Sequence, residues 1–165
     1  MRPLVLSLTA LTGAIAGAGA GCGGGGTAPP DADEALACVT SGRGDNYVAG
    51  LEHPGQSGRL DFKLVSADPA PPARNLNSWV IQINAMTSGV VGAPVTGATM
   101  VVTPFMPDHQ HGAGAYTVQI QAMPDAGQYK LTQINTWMPG YWEITIDATA
   151  GGVHDTVVYK FCIQA

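Results

Sequence analysis

From about Asn46 to the C-terminus, apolar and polar residues alternate in short runs, and almost no stretch carries helical spacing. Side chains two apart on an extended chain share a face, so each run offers one face to a core and one to water. Leu60, Phe62 and Leu64 mark such a face in Arg59–Val65, and Trp79, Ile81, Ile83 and Ala85 in Ser78–Met86. Ala98–Phe105 is β-branched, and Ala115–Ala122 sets Tyr116, Val118 and Ile120 against Thr117, Gln119 and Gln121. Gln128–Ile134, Tyr141–Ala148 and Thr156–Ile163 complete the set, with Asp68–Arg74 and Ser88–Gly97 as loop and turn-rich link. Seven or eight short strands, with turn signals roughly every 8 to 12 residues, predict an all-β, Ig-like antiparallel β-sandwich. Two local patterns agree. Asp125-Ala126-Gly127-Gln128-Tyr129 has the D-x-G-x-Y form of Ig-like corners, where a tyrosine hydroxyl ties back to backbone. Gly92-Ala93-Pro94-Val95-Thr96-Gly97-Ala98 has the form of a bacterial Ig-module lead-in to a strand.

The N-terminus carries an address. Met1-Arg2-Pro3 is a short basic region, Leu4–Ile15 is apolar, and small residues follow, so residues 1–21 read as a secretory signal peptide. Gly19-Ala20-Gly21-Cys22 resembles a bacterial lipobox, with Gly19 where an aliphatic residue is usual, and Cys22 is the expected lipidation site. Residues 22–37 then form a lipid-anchored Gly/Pro-rich linker, with Gly23–Asp33 expected to be disordered because it cannot bury a core. Residues 38–165 are the expected folded domain, exported to the bacterial cell envelope and held at a membrane through the lipid.

With Cys22 assigned, Cys38 and Cys162 remain as the pair expected to bond in an oxidising compartment. In the last strand Val157, Tyr159, Phe161 and Ile163 form the bulkier face, so Cys162 should point away from the core. The bridge should therefore staple the N-terminal segment over the outside or edge of a sheet. The formal charge is −5, with no Lys/Arg cluster, which excludes a nucleic-acid interface of the usual electrostatic kind.

The densest coordinating chemistry is Met106-Pro107-Asp108-His109-Gln110-His111-Gly112. In an extended segment, His109 and His111 would present both imidazoles to one point. Imidazole suits copper, zinc or nickel, and thioether selects Cu(I), so Met106, His109 and His111 match copper better than a hard cation. Asp108 is placed to ligate or to set a histidine tautomer. Trp137-Met138-Pro139-Gly140 repeats the Met-Pro pairing, and so does Met123-Pro124, which makes Met138 or Met123 a candidate further ligand. The bland reading stays open: Met beside Pro is often core filling, and two loop histidines often bind nothing. His53 and His154 have no companions in the sequence and read as surface or turn residues. There is no G-x-S-x-G elbow, H-E-x-x-H helix or recognisable carboxylate pair, so no enzymatic activity is expected.

The run from Ser78 to Asp147 resembles the YtkA-like/FixH-like family of small exported β-sandwich domains. The matching residues are Asn77-Ser78-Trp79, Gly92–Ala98, the Met106–Gly112 motif, Gly127-Gln128-Tyr129 and Met138-Pro139-Gly140-Tyr141-Trp142-Glu143-Ile144. The resemblance implies a small envelope sandwich. FixH-type members are associated with cbb-type oxidase assembly and with cation or copper handling, and they carry a transmembrane helix where this chain has a lipobox-like cysteine. Two functions follow as expectations: a non-catalytic module binding copper or another soft metal through Met106, His109, His111 and Met138, or a structural or interaction module that meets an envelope protein without metal.

Overall fold

The computed structural model describes the backbone of residues 30–165 and the side chains from Ala32 onward. The expected signal peptide, the lipidation site Cys22 and the first part of the linker lie outside the described residues. The described chain begins with helix α1 (Pro30–Thr40), followed by ten strands: β1 (Leu51–Pro54), β2 (Leu60–Asp68), β3 (Asn75–Thr87), β4 (Val90–Pro94), β5 (Thr99–Met106), β6 (His111–Gly112), β7 (Gln119–Ala122), β8 (Gln128–Thr136), β9 (Gly140–Ala150) and β10 (Val153–Ile163). One sheet runs β1-β2-β3-β8-β7 with β4 also paired to β3, the other β10-β9-β5-β6, and every pairing is antiparallel. The chain is an antiparallel β-sandwich, as the alternation predicts.

The alternating residues do the packing. Leu60, Phe62 and Leu64 of β2, Trp79, Ile81 and Ile83 of β3, and Leu131 and Ile134 of β8 meet Trp142, Ile144 and Ile146 of β9 and Tyr159, Phe161 and Ile163 of β10 in one buried cluster. Removing each large apolar side chain from water contributes roughly 1.5–3 kcal/mol, which sets register because a one-residue slip would turn a whole strand outward. Trp79 packs edge-on against Tyr159 and Phe161 across the sheets, at 5.8 and 5.5 Å between ring centres. The Tyr159 hydroxyl donates to the Phe62 carbonyl at 2.8 Å, so the layers are joined by a hydrogen bond as well as by area.

Three differences from the expectation have clear causes. The extra strands β1, β4 and β6 are short, too short for alternation to announce them. The expected strand Ala115–Ala122 shrinks to β7, exposed along its length, with Tyr116 48% and Ile120 36% exposed. It is an edge of the larger sheet and has no opposing layer to bury an alternating face. Helix α1 corrects the linker boundary: residues 30–37, read as linker, are helical. The Glu34-Ala35-Leu36-Ala37 run has high helix propensity, and tertiary anchoring holds the short helix, with Ala35 and Cys38 2% and 3% exposed.

That anchor is the disulfide Cys38–Cys162, with Cα atoms 5.6 Å apart. Cys162 faces away from the core, as the alternation of β10 predicts, and the bridge fastens α1 across the outer side of β9 and β10. The two Ig-like patterns meet each other. Tyr129 Oη accepts from the Ala98 amide at 2.8 Å and donates to the Val95 carbonyl at 3.4 Å, so it pins the crossing from β4 to β5. Gly127 sits beneath that crossing at φ +71°, where a Cβ would lie 2.7 Å from the Ile83 carbonyl oxygen.

At one end of β10 the carboxylate of Asp155, fully buried, accepts from four backbone amides: Ser57 and Thr156 at Oδ1, Arg59 and Leu60 at Oδ2, at 2.8–3.0 Å. Burial alone would push this carboxyl up, but the amides outweigh it and hold it below the ordinary range. The turn from Gly55 to Arg59 is thereby tied to β10.

Candidate metal site

Met106 closes β5 and His111 opens β6, and the two are direct cross-strand partners. Direct partners in an antiparallel pair point to the same side. Extending the β5–β9 register one step past Phe105↔Glu143 sets Met106 beside Trp142, and Trp142 is paired with Phe161. His111, Met106, Trp142 and Phe161 thus form one row along the inner face of the smaller sheet. Met106 is 1% exposed and belongs to the core. Its thioether is a packing group of that core.

The four residues from Pro107 to Gln110 form the turn, with Gln110 at φ +55°. The expected extended His-x-His geometry is not what joins the imidazoles. His109 stands on the turn and His111 on the strand, yet their ring centres are 5.9 Å apart. Two imidazoles sharing one ion at about 2.0 Å per nitrogen have centres roughly 5–6.5 Å apart, so this spacing fits a shared ion.

The hydrogen bonds fix which nitrogens are left. His111 Nδ1 lies 3.1 Å from the Gly112 carbonyl, which only accepts, so Nδ1 carries the hydrogen. In the neutral ring the lone pair is then on Nε2, and this atom is buried without a hydrogen-bond partner. Among the described residues two other buried side-chain nitrogens lack such a partner. Trp79 Nε1 is a donor with no lone pair to offer, and His53 Nε2 has the Asp45 carboxylate 3.3 Å away. His109 Nε2 lies 2.7 and 2.8 Å from the two carboxylate oxygens of Glu34, leaving Nδ1 as its lone-pair nitrogen.

The wall of the site comes from the segment between β8 and β9. Trp137 stacks on the His111 ring at 4.8 Å and 26°, and its Nε1 donates to the Gly112 carbonyl at 3.3 Å. Trp142 also meets His111 edge-on, at 5.6 Å between ring centres, and its Nε1 donates to the Met138 carbonyl at 2.9 Å. Arg74 Nε donates to the Trp137 carbonyl at 2.8 Å and holds the segment in place. Met138 packs against the core cluster beside this wall. Gly140 has φ +119°, and a Cβ there would begin 2.6 Å from the terminal methyl of Met106, so the turn closes directly over that thioether. Of the three Met-Pro corners, those of Met106 and Met138 lie at the same end of the sandwich, since Trp142, beside Met106 in register, donates to the Met138 carbonyl. Met123 sits before the N-terminal end of β8, at the opposite end of that strand from Met138.

Helix α1 and the turn after it contribute the outer contacts. Arg43 grips Asp108 with two bonds, at 2.6 and 2.9 Å, and lies 4.1 Å over the Tyr141 ring. The Arg43 guanidinium holds the Asp108 carboxyl below its usual range. Asp108 is therefore committed to Arg43, not to a histidine. Among the described residues no group of three or more His, Cys, Asp or Glu side chains is arranged to hold a metal ion. An ion here would rest on two imidazoles and on thioether sulfur. Sequence reasoning missed Glu34, Arg43 and the partnership of Trp137 with His111; only the Trp residues beside Met138-Pro139-Gly140 gave a signal.

The YtkA-like family model matches residues 55–147, more than half of the chain and the whole span from the Asp155-held turn to mid-β9. The chain belongs to the YtkA-like family. Searches of curated proteins and of solved structures returned no match. The matched span contains Met106, His109, His111 and Met138 and ends before Cys162, while Glu34, Cys38 and Arg43 precede it.

Proposed function

We propose that this YtkA-like domain is a non-catalytic copper-binding module of the cell envelope, tethered to a membrane by lipid on Cys22. His109 Nδ1 and His111 Nε2 supply the nitrogens, and Met138 and Met106 supply soft sulfur. The observation that carries this reading is the buried, partnerless Nε2 of His111. A buried lone pair without a donor costs roughly 1–3 kcal/mol, a cost that coordination of a cation would remove. The surroundings favour a soft, singly charged ion: aromatic rings and thioether flank the imidazoles, and the nearby carboxylates of Glu34 and Asp108 are already paired. Nothing in the reading requires bond-making chemistry, and the role is holding or passing the ion.

The competing reading is a structural or protein-interaction module with no metal. The full burial of Met106 favours it, because packing alone accounts for that residue. Titration of the purified protein with Cu(I) against a competing chelator separates the two. Sub-micromolar binding that is lost in His109→Ala and in His111→Phe supports the copper reading; binding no tighter than that of an unstructured His-containing peptide refutes it. For the tether, Cys22→Ser should move the protein out of the membrane fraction, and retention there would count against lipidation.

A further inference from the structure

We propose that Glu34, carried on the disulfide-anchored helix α1, is a positioning residue of the copper site: it holds His109 Nε2–H so that Nδ1 faces the ion. This rests on the copper reading above. Glu34 and Cys38 are four residues apart on one helix and so share a face. Cys38 is bonded to Cys162 of β10, which turns that shared face onto the smaller sheet. There both carboxylate oxygens of Glu34 lie within 2.8 Å of His109 Nε2. The same side chain closes over Gly140, whose added Cβ would lie 3.6 Å from a Glu34 carboxylate oxygen and 2.6 Å from the methyl of Met106. Glu34 therefore spans the gap between the imidazole and the turn that covers the thioether.

The chemistry of the pair is that of a carboxylate on a metal-binding histidine. A carboxylate only accepts, so Nε2 must carry the hydrogen, and the ring can neither rotate nor present Nε2 outward. The other imidazole is fixed in the same manner by a backbone carbonyl, at Nδ1. The two rings thus expose unlike nitrogens, and only His109 has its hydrogen-bearing nitrogen held from outside the hairpin. Without Glu34, His109 is a partly exposed side chain on a four-residue turn, free to leave the site.

The test uses the full chain and two readouts, one of them free of metal. In the metal-free protein the His109 Nε2–H should be protected enough to appear in a ¹H–¹⁵N spectrum at neutral pH. It should persist in Arg43→Ala, which breaks another contact between this segment and the turn, and vanish in Glu34→Ala. The Cu(I) dissociation constant should rise about 10- to 100-fold in Glu34→Ala, the range for losing such a partner, and less than about 3-fold in Arg43→Ala. A resonance absent from the native protein, or kept in Glu34→Ala, overturns the proposal. So does equal weakening in both variants, which would mark the helix as scaffold only. Loss of the resonance with unchanged Cu(I) affinity overturns the positioning role while leaving the copper reading standing. A native protein that keeps the resonance and takes up no Cu(I) refutes the copper reading itself, and the positioning role with it.

Discussion

Two turns of this sandwich are held by acidic side chains from distant parts of the chain, and they are held differently. The turn Gly55–Arg59 is gripped by Asp155, fully buried, with each carboxylate oxygen accepting from two backbone amides. The turn Pro107–Gln110 is gripped by hydrogen bonding of His109 to Glu34 and by the ion pair of Asp108 with Arg43, both part-exposed. At the first, every buried polar atom of the grip is answered. At the second, the grip stops short and a buried lone pair on His111 is left over. A completed polar network specifies a shape. One that ends on an unanswered lone pair leaves a place for a ligand.

The contrast can be broken in three ways. The largest effect should come from replacing both bridge cysteines, Cys38→Ser with Cys162→Ser. The bond closes a loop with a sequence separation of 124, and in the chain-entropy model its loss costs about 4–5 kcal/mol. Denaturant unfolding should report that drop, and the outer grip should loosen with it, freeing His109 from Glu34. A double variant as stable as the native chain would show that α1 is held by its other contacts.

Asp155→Ala should come next, at about 3 kcal/mol, because it leaves backbone amides buried without acceptors. Its pH behaviour follows from the direction of the shift. The folded carboxyl lies below its ordinary value of about 3.9, so its contribution is present above that value and lost as pH falls through the lower, folded one. Asp108, lowered by Arg43, has the same sign but is half in water, and screening leaves it a smaller share. Acid unfolding curves of Asp155→Ala should be flatter than those of the native protein between about pH 5 and pH 2. An unchanged slope would mean that Asp155 is not the group that matters.

The smallest stability effect is the most telling. His111→Phe keeps a ring to stack on Trp137 and removes the partnerless nitrogen, so stability should stay within about 1 kcal/mol of native, or rise. Copper binding should nevertheless be lost. A large destabilisation would mean that His111 is answered in solution by a partner and belongs with Asp155 as architecture.

Several of these features were legible in advance for one reason: they are periodic. Leu60, Phe62 and Leu64, or Val157, Tyr159 and Phe161, announce a buried face because a strand repeats every two residues, and Cys162 inherits its outward direction from the same count. Met106, His109, His111 and Met138 were legible as chemistry because His and Met are distinctive ligands. Glu34 was not legible. It lies 75 residues from His109, in a stretch whose composition reads as linker, and one ordinary glutamate carries no local signal. Nor were the bounds of β7, or the helix: an exposed edge strand gains little from its alternation, and a short helix exists where tertiary contacts hold it.

The sequence alone settled the strand periodicity, the antiparallel sandwich, the pairing and outward face of Cys38–Cys162, and the nearness of His109 and His111 along the chain. Tertiary structure decided what each of those groups can do. It sank Met106 into the core beside Trp142, set Trp137 on His111, committed Asp108 to Arg43, and brought Glu34 to His109. Burial and hydrogen-bond partnership depend on contacts distant along the chain, whereas periodicity is written residue by residue, and which nitrogen of a histidine is left free depends on the first.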